Sequence, residues 1–139
     1  MPMIGIGLKS MGGRKHEEMT GSVKVNSNMN ITEVKELELP ALKSKGLSVE
    51  FAYSTKYIGD KNKNLGEINI DGNVIFIGED NEKIIKDWKK DKKLPEDIKM
   101  QVIRIVGDKC SKKAILLSDD LQLPPPPLML PQILKQENK

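Results

Sequence analysis

A stripe of apolar residues that runs directly into a proline block constrains this chain of 139 residues more than any other feature. Between residues 95 and 121 the apolar positions recur at spacings of three and four, which predicts one amphipathic helix about 35 to 40 Å long. The stripe consists of Ile98, Val102, Val106, Cys110, Ala114, Leu117 and Leu121. Four consecutive prolines follow at residues 124–127, and proline both stops a helix and favours an extended polyproline II segment.

The residues before Gly78 show the period of two that is typical of strands. It predicts four strands, at residues 3–8, 21–39, 47–57 and 66–77, of which the third alternates most clearly. Glycines predict a turn at residues 11–14, and the polar residues 26–28 indicate a break in the second strand. At Asp71-Gly72 two interpretations stay open, a bend within the fourth strand or a tight hairpin.

After Gly78 the period changes to that of a helix. Asp80 or Asn81 is a suitable N-cap for a short helix at about residues 80–90, which presents Ile84, Ile85 and Trp88 on one side. Strands followed by helices indicate an α+β fold, a four-stranded antiparallel sheet packed on one face by a short and a long C-terminal helix. We expect a single domain over residues 1–139, with the long helix at 95–121 and a proline-rich apolar tail at 122–134.

Residue types that carry catalysis are scarce. The chain has one histidine, His16, in a polar connector, and one cysteine, Cys110, on the apolar stripe of the long helix. A solvated loop residue and a buried small side chain are the simplest interpretations of the two. The glycines near residues 5–13 lack the spacing of a phosphate-binding loop. The sequence therefore predicts a protein that is not an enzyme and has no cofactor and no metal site.

Charged residues make up 31% of the chain and hydrophobic residues 37%. No apolar run approaches the roughly 20 residues of a membrane span, so we expect no membrane insertion and a cytoplasmic location.

Positive charge is concentrated between residues 83 and 113, where eleven Lys and Arg face five Asp and Glu, an excess of six. Such a stretch can follow a phosphate backbone, which makes RNA or the ribosome an alternative partner. The residues predicted for this alternative are Lys89, Lys90, Lys92 and Lys93. A solvated lysine face on two amphipathic helices explains the same pattern.

Two further features have two interpretations each. The proline-rich segment is either a strap packed on its own domain or an element of peptide recognition, since polyproline II loses little entropy on binding. The large aromatic residues either fill the core or contact a ligand.

Taken together, the pattern resembles the SecB family of export chaperones, in which a four-stranded antiparallel sheet precedes a short and a long helix. The proline-rich stretch beside the long helix corresponds here to Leu-Pro-Pro-Pro-Pro-Leu-Met-Leu-Pro at residues 123–131. The same closing motif is similar to that of a group of small archaeal proteins.

The resemblance implies a chaperone that works without ATP in protein transport. It would assemble as a homo-oligomer and hold unfolded polypeptide clients on an apolar surface. The residues that we predict to line this peptide-binding surface are Phe51, Tyr53, Phe76, Trp88 and Leu128.

Overall fold

A computed structural model describes residues 3–18, 21–78 and 80–126. Its elements are the strands β1 (Met3–Lys15), β2 (Lys24–Leu39), β3 (Ser44–Ile58) and β4 (Asn64–Ile77), followed by the helices α1 (Asn81–Asp91) and α2 (Glu96–Asp120). All strand pairs are antiparallel, and the order across the sheet is β1-β4-β3-β2. The predicted fold class, a four-stranded antiparallel sheet with two helices after it, is confirmed.

Strands β1 and β2 follow each other in sequence but lie at the two edges of the sheet. A short 3-10 turn at Pro40–Leu42 joins β2 to β3, and Lys43 in a left-handed conformation ends it. After β1, the backbone N–H groups of His16 and Glu17 donate to the carbonyl oxygen of Leu65 at 2.9 and 3.3 Å. This anchors the start of the crossover from β1 to β2 against the beginning of β4.

The core lies between the sheet and the two helices. Alternate residues of the central strands face the helices and are at most 2% exposed: Leu47, Val49, Phe51, Tyr53, Tyr57, Ile68, Ile70, Val74 and Phe76. From α2 the stripe residues 98, 102, 106, 110 and 114 are buried against them. α2 packs across β1, β4 and β3, while α1 packs beside β2. The two helices therefore divide one face of the sheet between them.

The predicted turn at residues 11–14 is wrong, because β1 continues to Lys15 and stays paired with β4. The glycine at position 13 has a packing role instead. A Cβ added to Gly13 would lie 2.7 Å from Cδ1 of Leu121, so its absence lets the end of α2 approach the sheet.

The hairpin considered at Asp71-Gly72 is also wrong, because β4 is one continuous strand. A Cβ added to Gly72 would overlap the carbonyl oxygen of Gly7 in β1, which explains a glycine in the middle of a strand. β2 likewise has no break at residues 26–28. Its irregularity is a register shift between Ile31 and Glu33.

Candidate functional site

Apolar surface that the helices do not cover lies at the edges of the sheet. β1 exposes Met3, Ile4 and Met11, which are 36%, 46% and 51% exposed. On the opposite edge, Met29 and Ile31 of β2 are half-buried and pack only partly against the core. The central strands β3 and β4, in contrast, bury most of their apolar side chains on the helix face, whereas Ile75 and Ile77 are half-buried.

A groove of about 490 Å³ lies beside the middle of β2. Its walls come from β2, the end of α1, the connection between the helices and the first turns of α2. The residues that line it are Met29, Asn30, Ile31, Trp88, Lys92, Lys93, Leu94, Glu96, Lys99 and Ile103. Half of them are apolar, which gives an open groove with a hydrophobic floor and a charged rim.

The turn between the helices positions the groove. α1 ends where Lys92 adopts a left-handed conformation and its N–H donates to the carbonyl oxygen of Trp88 at 2.8 Å. Pro95 then precedes the first turn of α2. This short connection keeps Trp88 and Leu94 next to β2.

Lys92 also contacts the tryptophan directly. Its ammonium nitrogen lies 5.4 Å from the centroid of the Trp88 ring, within the range of a cation–π interaction. Trp88 is 8% exposed, so most of its ring belongs to the core and one part contributes to the groove.

The backbone of β2 adds hydrogen-bonding capacity to this side of the groove. In the described part of the chain β2 pairs with β3 alone. In an antiparallel edge strand, every second residue directs its N–H and C=O groups away from the sheet. An open strand edge beside an apolar groove is the arrangement that accepts an extended peptide as an added strand.

Of the four predicted peptide-binding residues that the structure describes, Trp88 alone lines this groove. Phe51, Tyr53 and Phe76 are 2%, 1% and 0% exposed and lie in the core beneath the helices. Leu128 lies outside the described residues. A role of these residues in peptide contact stays a prediction.

The lysines predicted for the RNA alternative are all exposed, but they face different surfaces. Lys92 and Lys93 line the groove beside β2. Lys89 lines a neighbouring shallow depression together with Glu36 and Glu82.

Seven residues of the groove were not singled out by the sequence: Met29, Asn30, Ile31, Leu94, Glu96, Lys99 and Ile103. The period-two pattern places Met29 and Ile31 on one face of a strand, but it gives no sign that this strand is an edge. The edge position depends on strand order, which a local pattern does not encode.

Groups with chemical reactivity are not gathered at this site. Cys110 is fully buried, and burial raises the pKa of its thiol to about 12. His16 lies elsewhere, with Nε2 3.5 Å from Oε1 of Glu67. Residues 3–18, 21–78 and 80–126 contain no group of three or more His, Cys, Asp or Glu side chains placed to hold a metal ion. Neither α1 nor α2 has the length and hydropathy needed to span a membrane.

Comparison with protein-family models and with curated proteins gives no match. Among solved structures, the chain is similar to the SecB-like chaperone Rv1957 of Mycobacterium tuberculosis, determined in complex with a ChAD peptide from the HigA1 antitoxin. The TM-score is 0.58 at 10% sequence identity, and the match covers 89% of this chain and 85% of the other. The two proteins share the SecB-like fold.

Proposed function

We propose that this protein is a non-enzymatic, SecB-like chaperone that binds extended segments of non-native polypeptides in the groove beside β2. The observation that carries the proposal is a half-apolar groove lined by Met29, Asn30 and Ile31 of β2, which is an edge strand in the described part of the chain. Backbone groups of the edge would bind any extended chain, and the groove would bind its apolar side chains.

This combination suits a chaperone because it selects by shape and hydrophobicity. Main-chain hydrogen bonds do not depend on the client sequence, while an apolar floor of Met29, Ile31 and Trp88 favours the binding of exposed hydrophobic side chains. Such residues are accessible in unfolded polypeptides and buried in folded ones.

The similarity to the mycobacterial chaperone supports the proposal at the level of the fold, since that protein was solved with a bound peptide. We further propose the cytoplasm as its location and a homo-oligomer as the working form. Exposed apolar residues on β1, such as Ile4 and Met11, favour contact with a second copy. Kinship with small archaeal proteins stays a prediction from the closing proline motif.

The test is suppression of the aggregation of a chemically unfolded client, together with direct binding of a peptide that lacks tryptophan. Trp88 is the only tryptophan of the chain, so its fluorescence reports on the groove itself. We expect the protein to suppress aggregation and the peptide to shift this fluorescence. Absence of both effects would refute the proposal.

Ile103→Ser is the informative variant, because Ile103 lines the groove, is only half-buried and is not among the residues packed on the core. Leu116→Ser is its matched control, since Leu116 lies on the same helix, is 61% exposed and does not line the groove. We expect the first to weaken peptide binding about fivefold, from the apolar area lost, and the second to leave it unchanged.

RNA binding is a second candidate, favoured by the exposure of Lys89, Lys90, Lys92 and Lys93 around the end of α1. Phosphate contacts release counterions, so affinity for RNA would fall steeply with salt. A weak affinity that does not change with salt would exclude this function.

A further inference from the structure

We infer that the groove beside β2 selects polypeptide segments in which acidic residues flank an apolar centre. This inference rests on the proposed function and names the class of client that the site prefers. Its basis is the positive charge of the rim, which comes from lysines and is separate from the apolar residues of the floor.

The rim of the groove has an excess of positive charge. Three lysines, Lys92, Lys93 and Lys99, line it against one acidic residue, Glu96, which leaves an excess of two. The whole chain of 139 residues has a formal net charge of +3, so an excess of two positive charges is large for so small a surface. A client with negative charge next to its apolar residues complements the rim.

The lysines of the rim are available to a ligand. All three are exposed, and in the described parts of the chain none of them forms an ion pair with a carboxylate. Elsewhere on the surface, lysines such as Lys35, Lys45 and Lys63 do pair with glutamates. No carboxylate of the described residues therefore neutralises the three rim lysines, although the ammonium group of Lys92 also lies over the Trp88 ring.

The two kinds of contact lie close enough for one peptide to use both. The ammonium group of Lys92 lies over the Trp88 ring, 5.4 Å from its centroid, so a positive charge and one apolar residue of the floor are neighbours. A carboxylate on the client would bind at this ammonium group while the neighbouring apolar side chain covers the exposed part of the ring.

The experiment compares three peptides that share one apolar centre without tryptophan and differ only in their flanks, which are aspartate, asparagine or lysine. Affinities are measured on the full chain by Trp88 fluorescence at low salt and at about 0.5 M salt, where the Debye length falls to about 4 Å. We expect the aspartate peptide to bind about tenfold tighter than the lysine peptide at low salt, because several exposed charge pairs add. The asparagine peptide should lie between them, and high salt should remove most of the difference.

Charge reversal tests the assignment to these residues. The double variant K93E/K99E should invert the order of the peptides. The matched control K61E/K83E changes the net charge equally at two exposed lysines outside the groove, and it should keep the original order. Inversion in both variants would show an effect of overall charge and would overturn the inference.

The outcomes distinguish a failure of this inference from a failure of the proposed function. Equal binding of all three peptides would overturn the charge preference and leave peptide binding in place, whereas no binding of any peptide would overturn both. Tighter binding of an oligoribonucleotide in competition with the aspartate peptide would assign the rim to nucleic acid. A change of Trp88 fluorescence with protein concentration alone would assign the groove to a second copy of the chain. Each of these two results would overturn the inference.

Discussion

The phenolic hydroxyl of Tyr57, near the end of β3, donates a 2.6 Å hydrogen bond to the carbonyl oxygen of Pro124, the first residue of the proline block. Just before it, Leu123 is 5% exposed and its N–H donates to the carbonyl oxygen of Ser118 at 2.8 Å. Pro126 is also buried. As far as Pro126, the segment after α2 is therefore a strap on its own sheet, one of the two roles that its sequence allowed.

Tyr57→Phe should lower the free energy of unfolding by about 1 to 2 kcal/mol. The phenyl ring keeps the packing of this fully buried residue, but the carbonyl oxygen of Pro124 loses its donor. Urea unfolding followed by circular dichroism measures the difference. A variant as stable as the parent would mean that water replaces the hydroxyl and that the strap is not held by this bond.

The burial of the same hydroxyl predicts a loss of stability at alkaline pH. Burial, with a smaller contribution from Tyr53, raises the pKa of Tyr57 from 10.0 to about 12. Because the folded pKa lies above the unfolded one, the contribution of the hydroxyl is complete below pH 10 and decreases as pH rises from 10 towards 12.

Other groups titrate in that range, so the informative quantity is the difference in unfolding free energy between the parent and Tyr57→Phe. We expect this difference to decrease above pH 10. A constant difference up to pH 12 would contradict a raised pKa.

Periodicity alone was sufficient to predict the two layers of the fold. The stripe from Ile98 to Ala114 is buried as expected, because a period near 3.6 places those residues on one face whatever they pack against. The glycines gave wrong predictions because their role depends on what packs against them. Glycine is common in turns, but Gly13 and Gly72 lie within strands, where a neighbouring backbone or helix approaches closely.

The candidate site was harder to predict than the fold. The sequence predicts that large aromatic residues of the sheet bind peptide, which stays a prediction, and the structure places Phe51 and Phe76 on the central strands beneath the helices. Trp88 differs because it lies near the end of α1, next to an edge strand. Which strands form the edges is decided by pairing between residues far apart in sequence, so local patterns could not identify the groove.

Gly72→Ala should destabilise the protein by about 3 kcal/mol. The added methyl group would overlap the carbonyl oxygen of Gly7 and lie 3.0 Å from the Phe51 ring, so β1 must move away from β4. Gly12→Ala is the control, since a Cβ at Gly12 meets nothing within 4 Å. We expect the control to change the unfolding free energy by less than about 0.5 kcal/mol, and equal effects of the two substitutions would contradict the tight β1–β4 contact.

Cys110 should resist alkylation in the folded protein. Burial in the core raises the pKa of its thiol from 9.0 to about 12, which lowers the thiolate fraction at neutral pH about a thousandfold. The side chain is also 0% exposed, so the reagent cannot reach the sulfur in the folded protein. Reaction with iodoacetamide, followed by mass spectrometry, should therefore be slow in buffer and fast in urea. Leu116→Cys in a Cys110→Ala background supplies an exposed thiol on the same helix, and it should react rapidly without urea. Equal rates for the two cysteines in buffer would mean that α2 opens from the sheet faster than the reagent reacts, so that the core opens locally in the native protein.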